Sequence, residues 1–204
     1  MILRKKAILG LVVIAAFGSP ALAGYKLMRA GQSVIVAKST LQVTPATDWN
    51  RLGARPGRNA ESWTLDGLSL NDLTFYGGIS DGETLFRDAN KKTKPLPRFS
   101  SKMLIPDIAL LFESSYRVSN GTSLMMIDSI EPTSFAGNAG FRFAYSFVIQ
   151  NEEVRRKGEA RGAVIGGKLY MATFEAPVIH YYDAGISQFR KVADSATLVA
   201  LGTR

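Results

Sequence analysis

The segment GFRFAYSFVIQ, residues 140–150, leaves the backbone little choice of conformation. Phe141, Phe143, Tyr145, Phe147 and Ile149 take every second position, with Arg142, Ala144, Ser146, Val148 and Gln150 between them. A period of two gathers the large apolar side chains on one face of an extended strand, whereas a helix would scatter them. Such a strand calls for an antiparallel sheet with one well-covered face. The neighbouring sequence extends it. The polar turn QNEE leads into VRRKGEARGAVIG, Gly166-Gly167 turns the chain into KLYMATFEA, and Pro177 stops the sheet. These are three consecutive strands of a meander. Ahead of them, SLMMIDSIEP reads as another strand that enters the Gly-rich turn FAGNAG.

Helical spacing brackets the meander. In SSKMLIPDIALLFESSYRV (100–118), Leu104, Ile108, Leu111, Phe112 and Ser115 recur at steps of three and four. Ser100 or Ser101 is the expected cap, and Pro106 fits only in a first turn, so the helix should begin nearer Ile105. After Pro177, HYYDAGISQFRKVADSA places Tyr182, Ile186, Phe189 and Ala193 on one side of a second helix. Upstream, SVIVAKSTLQVTP (33–45) predicts one or two strands, and DWNRLGARPGRNA (48–60) a loop broken by Gly and Pro. ESWTLDG and LTFYGGI predict two more strands, with Asp-Gly and Gly-Gly supplying turns. DANKKTKPLPRF (88–99) divides a strand-rich part, residues 24–98, from a helix–meander–helix part, residues 99–198. Strands flanked by separate helices indicate a single α+β domain over residues 24–204, an antiparallel β-sheet flanked by helices.

The first 23 residues have a different character. MILRKK carries Arg4, Lys5 and Lys6, AILGLVVIAAF is an apolar run, and GSPALA closes on the small–x–small pattern of Ala21 and Ala23. These are the three parts of a secretory signal peptide cut after Ala23, which directs the body to the periplasm or outside. Eleven apolar helical residues span about 16 Å, short of a roughly 30 Å hydrocarbon core. The competing reading is an uncleaved inner-membrane anchor over residues 7–25, interrupted by Gly18 and Pro20. The chain has no cysteine. That excludes disulfides, a thiolate metal site, a cysteine nucleophile and a lipid-attachment cysteine. Loss of Arg4, Lys5 and Lys6 lowers the net charge from +8 to +5, a mild excess suited to an anionic envelope surface. KKTK (91–94) reads as a solvated loop and not as a nucleic-acid patch.

The reactive residues do not converge. His180 is the only histidine. A zinc site needs three or four ligands, and Asp183 and Glu175 bring no second nitrogen. A triad with Ser187 or Ser195 is formally open, but no G-x-S-x-G exists, and the position after Pro177 places His180 in the first turn of the second helix. Asp66, Asp72, Asp81 and Glu83 could in principle pair for hydrolysis, yet the Asp-Gly steps among them are common turn chemistry. Neither phosphate-binding glycine motif occurs. Trp49 and Trp63 border predicted strands and read as core. No catalytic, cofactor-binding or metal-binding residue is therefore assigned, and no cofactor is expected. The notable exposed feature is a basic strand: Arg155, Lys157, Glu159 and Arg161 alternate onto one face, next to Arg156. Arg155, Arg156, Lys157 and Arg161 are candidate contacts for an acidic partner or lipid headgroups; the same charges would also guard a sheet edge against pairing.

From about Phe99 to Leu198 the chain resembles the PsbP/Mog1-like superfamily. The likeness lies in the helix, the meander ending in GGKLYMATFEAP, and a closing helix that ends near FRKVADSA. It implies an α/β/α sandwich that works through protein–protein contact, in several bacterial cases in the envelope, with no shared catalytic constellation. The expectation is an exported, non-enzymatic accessory or interaction module. Its expected partner is another envelope protein or an anionic surface, with peripheral membrane contact open and no nucleic acid. The first alternative is a carrier for a small apolar or anionic ligand, held in a cleft between the sheet and the first helix. A serine or carboxylate hydrolase is the second.

Overall fold

The alternating segment is the strand β8 (Asn138–Val148), and its apolar face is the floor of one of two cores. The computed structural model describes residues 24–88, 92–120, 124–149 and 153–200. The predicted leader, with Ala21 and Ala23, lies outside these residues. Among them, no helix is long and apolar enough to cross a membrane.

Eight strands form one antiparallel sheet: β1 (Tyr25–Met28), β4 (Trp49–Leu52), β5 (Ala60–Thr64), β6 (Asp72–Ile79), β10 (Lys168–Pro177), β9 (Arg155–Ile165), β8 and β7 (Leu124–Phe135), in that spatial order. β8 to β10 are the predicted meander, and β7, the strand predicted ahead of it, pairs with β8 and forms the edge. β6 pairs with β10 across the predicted 88–99 boundary, so one sheet carries strands from both parts of the chain. A second small sheet, in the order β11 (Thr197–Leu198), β3 (Leu41–Val43), β2 (Val34–Ile35), lies with the second core.

One helix sits on each face. α1 (Ile105–Asn120) lays Ile108, Leu111, Phe112 and Tyr116 on the aromatic stripe of β8. The Phe112 ring is 5.1 Å from that of Tyr145, and the Tyr116 ring 5.1 Å from that of Phe147. Burying each such ring is worth about 1.5–3 kcal/mol, which explains why the alternation in the sequence is strict. α2 (Tyr181–Asp194) covers the opposite face. There Phe189 stacks on Phe174 at 5.8 Å, and Gly185 lets the helix approach that ring. The small sheet shares this face, adding Val36, Leu41 and Val43 beside the buried Trp49 and Trp63. The α/β/α expectation therefore holds only in part. The molecule is mostly sheet, with a single helix on one side and a helix plus three short strands on the other.

Several local expectations are corrected. Trp49–Leu52 was expected to be loop and is the strand β4, because burial of Trp49 and pairing with β1 and β5 override its turn-rich surroundings. Gly77 and Gly78 do not make a turn. They lie inside β6, where Gly78 has φ 71° opposite an irregularity in the β10 pairing. α1 begins at Ile105 as expected but is not capped by Ser100 or Ser101; the Asp107 carboxylate accepts the Leu104 N–H at 2.9 Å instead. Leu104, assigned to the buried stripe, precedes the helix and is 71% exposed.

Candidate functional site

β9 does not present four basic residues to one surface. It is an interior strand, hydrogen-bonded to β10 and β8, so its charges guard no edge. Arg155 and Lys157 are exposed. Arg156 points to the α1 face, is only 6% exposed, and donates from Nη2 to the Ser69 carbonyl at 2.6 Å. Arg161 turns to Glu159 and Asp194, at 3.1 and 2.6 Å. Glu159 is itself buried, with 2% of its side chain exposed, and also receives Arg190 of α2 at 2.6 Å. Arg142 approaches the same carboxylate at 3.7 Å. Three guanidinium groups around one buried carboxylate pin α2 to the sheet. Charge pattern alone made Glu159 and Arg161 look like surface.

His180 occupies the N-cap of α2, not the helix proper, with φ 72° and no capping hydrogen bond from its side chain. Its exposed ring meets the Tyr181 ring edge-on at 5.4 Å. Ser195 is at the other end of α2, about 22 Å away at 1.5 Å per residue, where its hydroxyl donates to the Val192 carbonyl and accepts the Thr44 N–H. Ser187 and Asp183 are exposed on the helix between them. These groups do not assemble a triad. The four acids singled out in sequence are also dispersed. Asp66 holds the Asn71 amide, Asp81 the Ser101 N–H and hydroxyl, and Glu83 the Ser80 N–H and the Asn59 amide. Among the described residues no three His, Asp or Glu side chains group as metal ligands.

Asp72 alone has an acidic neighbour, and it is one the sequence does not suggest. In the β6–β10 register Asp72 lies directly opposite Glu175. Like charges so placed repel, and both groups are half-buried beneath the end of α1. Burial pushes Asp72 up to about 6, opposed by hydrogen bonds from Thr74 and Ser62 and by the charge of Arg156. Burial and then the charge of Asp72 push Glu175 up to about 7, opposed by Tyr116, Tyr145 and Arg156. The Tyr116 hydroxyl donates to Glu175 at 2.6 Å and that of Tyr145 at 3.1 Å. Burial and the facing carboxylates hold both phenols far above their ordinary range. Gly158 makes this geometry possible: it lies between Tyr145 and Glu175 in the sheet, and a Cβ there would come within 2.1 Å of the Tyr145 ring. A cavity of about 170 Å³ opens onto the pair, lined also by Thr74, Tyr76, Ser119 and Thr173. The alternation Asp72-x-Thr74-x-Tyr76 was the visible signal. The partner, about a hundred residues further on, required the register.

A second cleft between sheet and helix has the opposite character. Where α1 meets the edge strand β7, Leu110, Met125, Met126, Ile127 and Ile130 line a groove of about 470 Å³ whose only charged lining residue, among the described residues, is Glu113. Leu110 is 56% and Met126 63% exposed. Among the described residues the outer side of β7 carries no further strand, and an irregularity between Ile127 and Ser129 together with Pro132 interrupts its pairing capacity.

An antiparallel sheet ending in a four-strand meander, with α1 and α2 on opposite faces, is the PsbP/Mog1-like fold. The solution structure of cyanobacterial PsbP (CyanoP) from Synechocystis sp. PCC 6803 is similar over 91% of this chain and 99% of its own, with 17% sequence identity and a TM-score of 0.52. The crystal structure of LpqN, involved in cell envelope biogenesis of Mycobacterium tuberculosis, matches over 90% of this chain and 88% of its own, at 7% identity and a TM-score of 0.36. No family model matches the sequence, and no curated protein matches it.

Proposed function

We propose that this chain is an exported envelope protein that acts by binding and not by catalysis, an accessory module whose docking face is the groove between α1 and β7. The observation that carries the reading is the exposure of Leu110, Met126 and Ile130 together around one groove at a sheet edge. Isolated exposed apolar residues are ordinary, whereas a contiguous group beside an unpaired strand is a contact surface. Flexible methionine side chains adapt to a partner's shape, and an extended partner segment can add to a free edge. The PsbP-like fold and the dispersal of His180, Ser187 and Ser195 support binding over hydrolysis. The proposed partner presents an apolar segment with a basic residue for Glu113. Arg155 and Lys157, exposed side by side on β9, favour a second reading in which an acidic partner or anionic surface binds there.

The carrier alternative takes a narrower form. Of the two clefts under α1, the closed one holds carboxylates and phenols and suits neither an apolar nor an anionic ligand, while the apolar one is the open groove. Affinity capture from chemically crosslinked envelope tests the proposal. The unaltered chain should retain a defined protein that Leu110→Asp and Met126→Asp each release at least tenfold, with Arg155→Glu/Lys157→Glu without effect. Loss only in the double charge reversal assigns the contact to β9. Recovery of no partner by the unaltered chain rejects both.

A further inference from the structure

On another part of the molecule, the loop before β5 and the loop after β6 enclose a cavity of about 490 Å³, within the range that holds small ligands. We propose that it is a binding site for a small soluble phosphomonoester that also carries a hydroxyl or ammonium donor. Three arginines, Arg58, Arg87 and Arg98, reach this one space from three separate segments. Arg98 is held by the Gly82 carbonyl. Among the described residues, the side chains of Arg58 and Arg87 have neither an ion pair nor a hydrogen bond. Three arginines against the two acids of the wall, Glu83 and Asp88, leave the space net positive, which favours an anion. A phosphate monoester offers three acceptor oxygens to planar guanidinium donors, a closer match than a single carboxylate.

The second group is Asp88. Both of its carboxylate oxygens are shut off from solvent and neither has a hydrogen-bond partner. A buried acceptor without a donor is costly, and here it borders the same cavity as the arginines. A ligand with phosphate at one end and a donor near the other satisfies both once the Asp88 side chain rotates to turn an oxygen into the cavity. Glu83, the other acid in the wall, is already engaged by Ser80 and Asn59 and remains structural. Its backbone also joins the walls, since the Phe99 N–H donates to the Glu83 carbonyl and the Gly82 N–H to the Phe99 carbonyl, each at 2.9 Å. The Arg87 N–H donates to the Pro56 carbonyl at 2.7 Å, tying the two loops together. The walls are thus in place before a ligand arrives, which limits the ordering cost of binding.

This inference is independent of partner docking at α1 and β7. Isothermal titration of the full chain at low salt, with inorganic phosphate, glycerol 3-phosphate and O-phosphoethanolamine, tests it. One of the two esters should bind one-to-one at least tenfold more tightly than phosphate, and which one wins identifies the donor as hydroxyl or ammonium. Arg58→Ala and Arg87→Ala, both changes of exposed side chains, should each weaken the ester about tenfold, the scale of one charge-assisted bond. Arg117→Ala, an exposed arginine of α1 that does not line the cavity, should leave it unchanged. Asp88→Ala, which removes the acceptor, should erase the preference for ester over phosphate. Absence of saturable binding, equal weakening by Arg117→Ala, or a preference that survives Asp88→Ala would each overturn the proposal; urea midpoints verify that every variant is folded.

Discussion

Replacing Glu175 by Gln should make the protein more stable at pH 8 and leave it nearly unchanged at pH 4.5. In the unfolded chain Glu175 has an ordinary carboxyl, near 4.5, and in the fold it is raised to about 7. Below pH 4.5 the group is protonated in both states and folding is not opposed. Between 4.5 and 7 the unfolded chain releases the proton while the native site retains it, so stability falls with rising pH. The shift corresponds to about 3 kcal/mol at 1.36 kcal/mol per unit, an upper figure because part of it is repulsion shared with Asp72. Glutamine cannot ionise, and it can still meet the hydroxyls of Tyr116 and Tyr145. For a chain of this size about 3 kcal/mol moves a urea midpoint by roughly 1–2 M. The measurement is the difference in unfolding free energy between the two proteins from pH 4 to 9, which cancels the titration of groups not coupled to Glu175 and leaves that of the Asp72–Glu175 pair. The difference should grow from near zero to its plateau by pH 8, in favour of Glu175→Gln. Parallel curves throughout, or a variant less stable at pH 8, would show that the acid pair is not strained by its register.

Two further perturbations address the same packing. Gly158→Ala drives a methyl into the Tyr145 ring and displaces its hydroxyl from Glu175, so about 1–3 kcal/mol of stability should be lost in urea unfolding. A loss below about 0.5 kcal/mol would mean that Tyr145 does not need to cross β9 there. Glu159→Gln leaves Arg142, Arg161 and Arg190 facing one another without the central charge, and about 3 kcal/mol should be lost, with hydrogen exchange rising across α2. Unchanged protection of α2 would place its anchoring in the Phe174–Phe189 contact alone.

Wherever one periodicity overwhelms the rest, local sequence leaves the backbone a single conformation. Phe141 to Phe147 have only one extended arrangement that buries all their rings, and Pro106 and Pro177 set limits that no packing can move. Local periodicity also fixed the apolar faces of α1 and α2, apart from Leu104 at the helix boundary. It failed at Trp49–Leu52, where a strand forms because of what lies on either side of it. The fate of charged residues was decided only by tertiary structure. Arg155 and Arg156 are adjacent, yet one is exposed and the other is buried beside an acid pair. Which acid meets which, Asp72 with Glu175 or Glu159 with Arg190, depends on strand register and on where a helix lands. A hydrophobic residue reports its preference for burial through its own neighbours in the chain. A charge takes its meaning from the dielectric and counter-charges around it, and those arrive from residues far away in sequence.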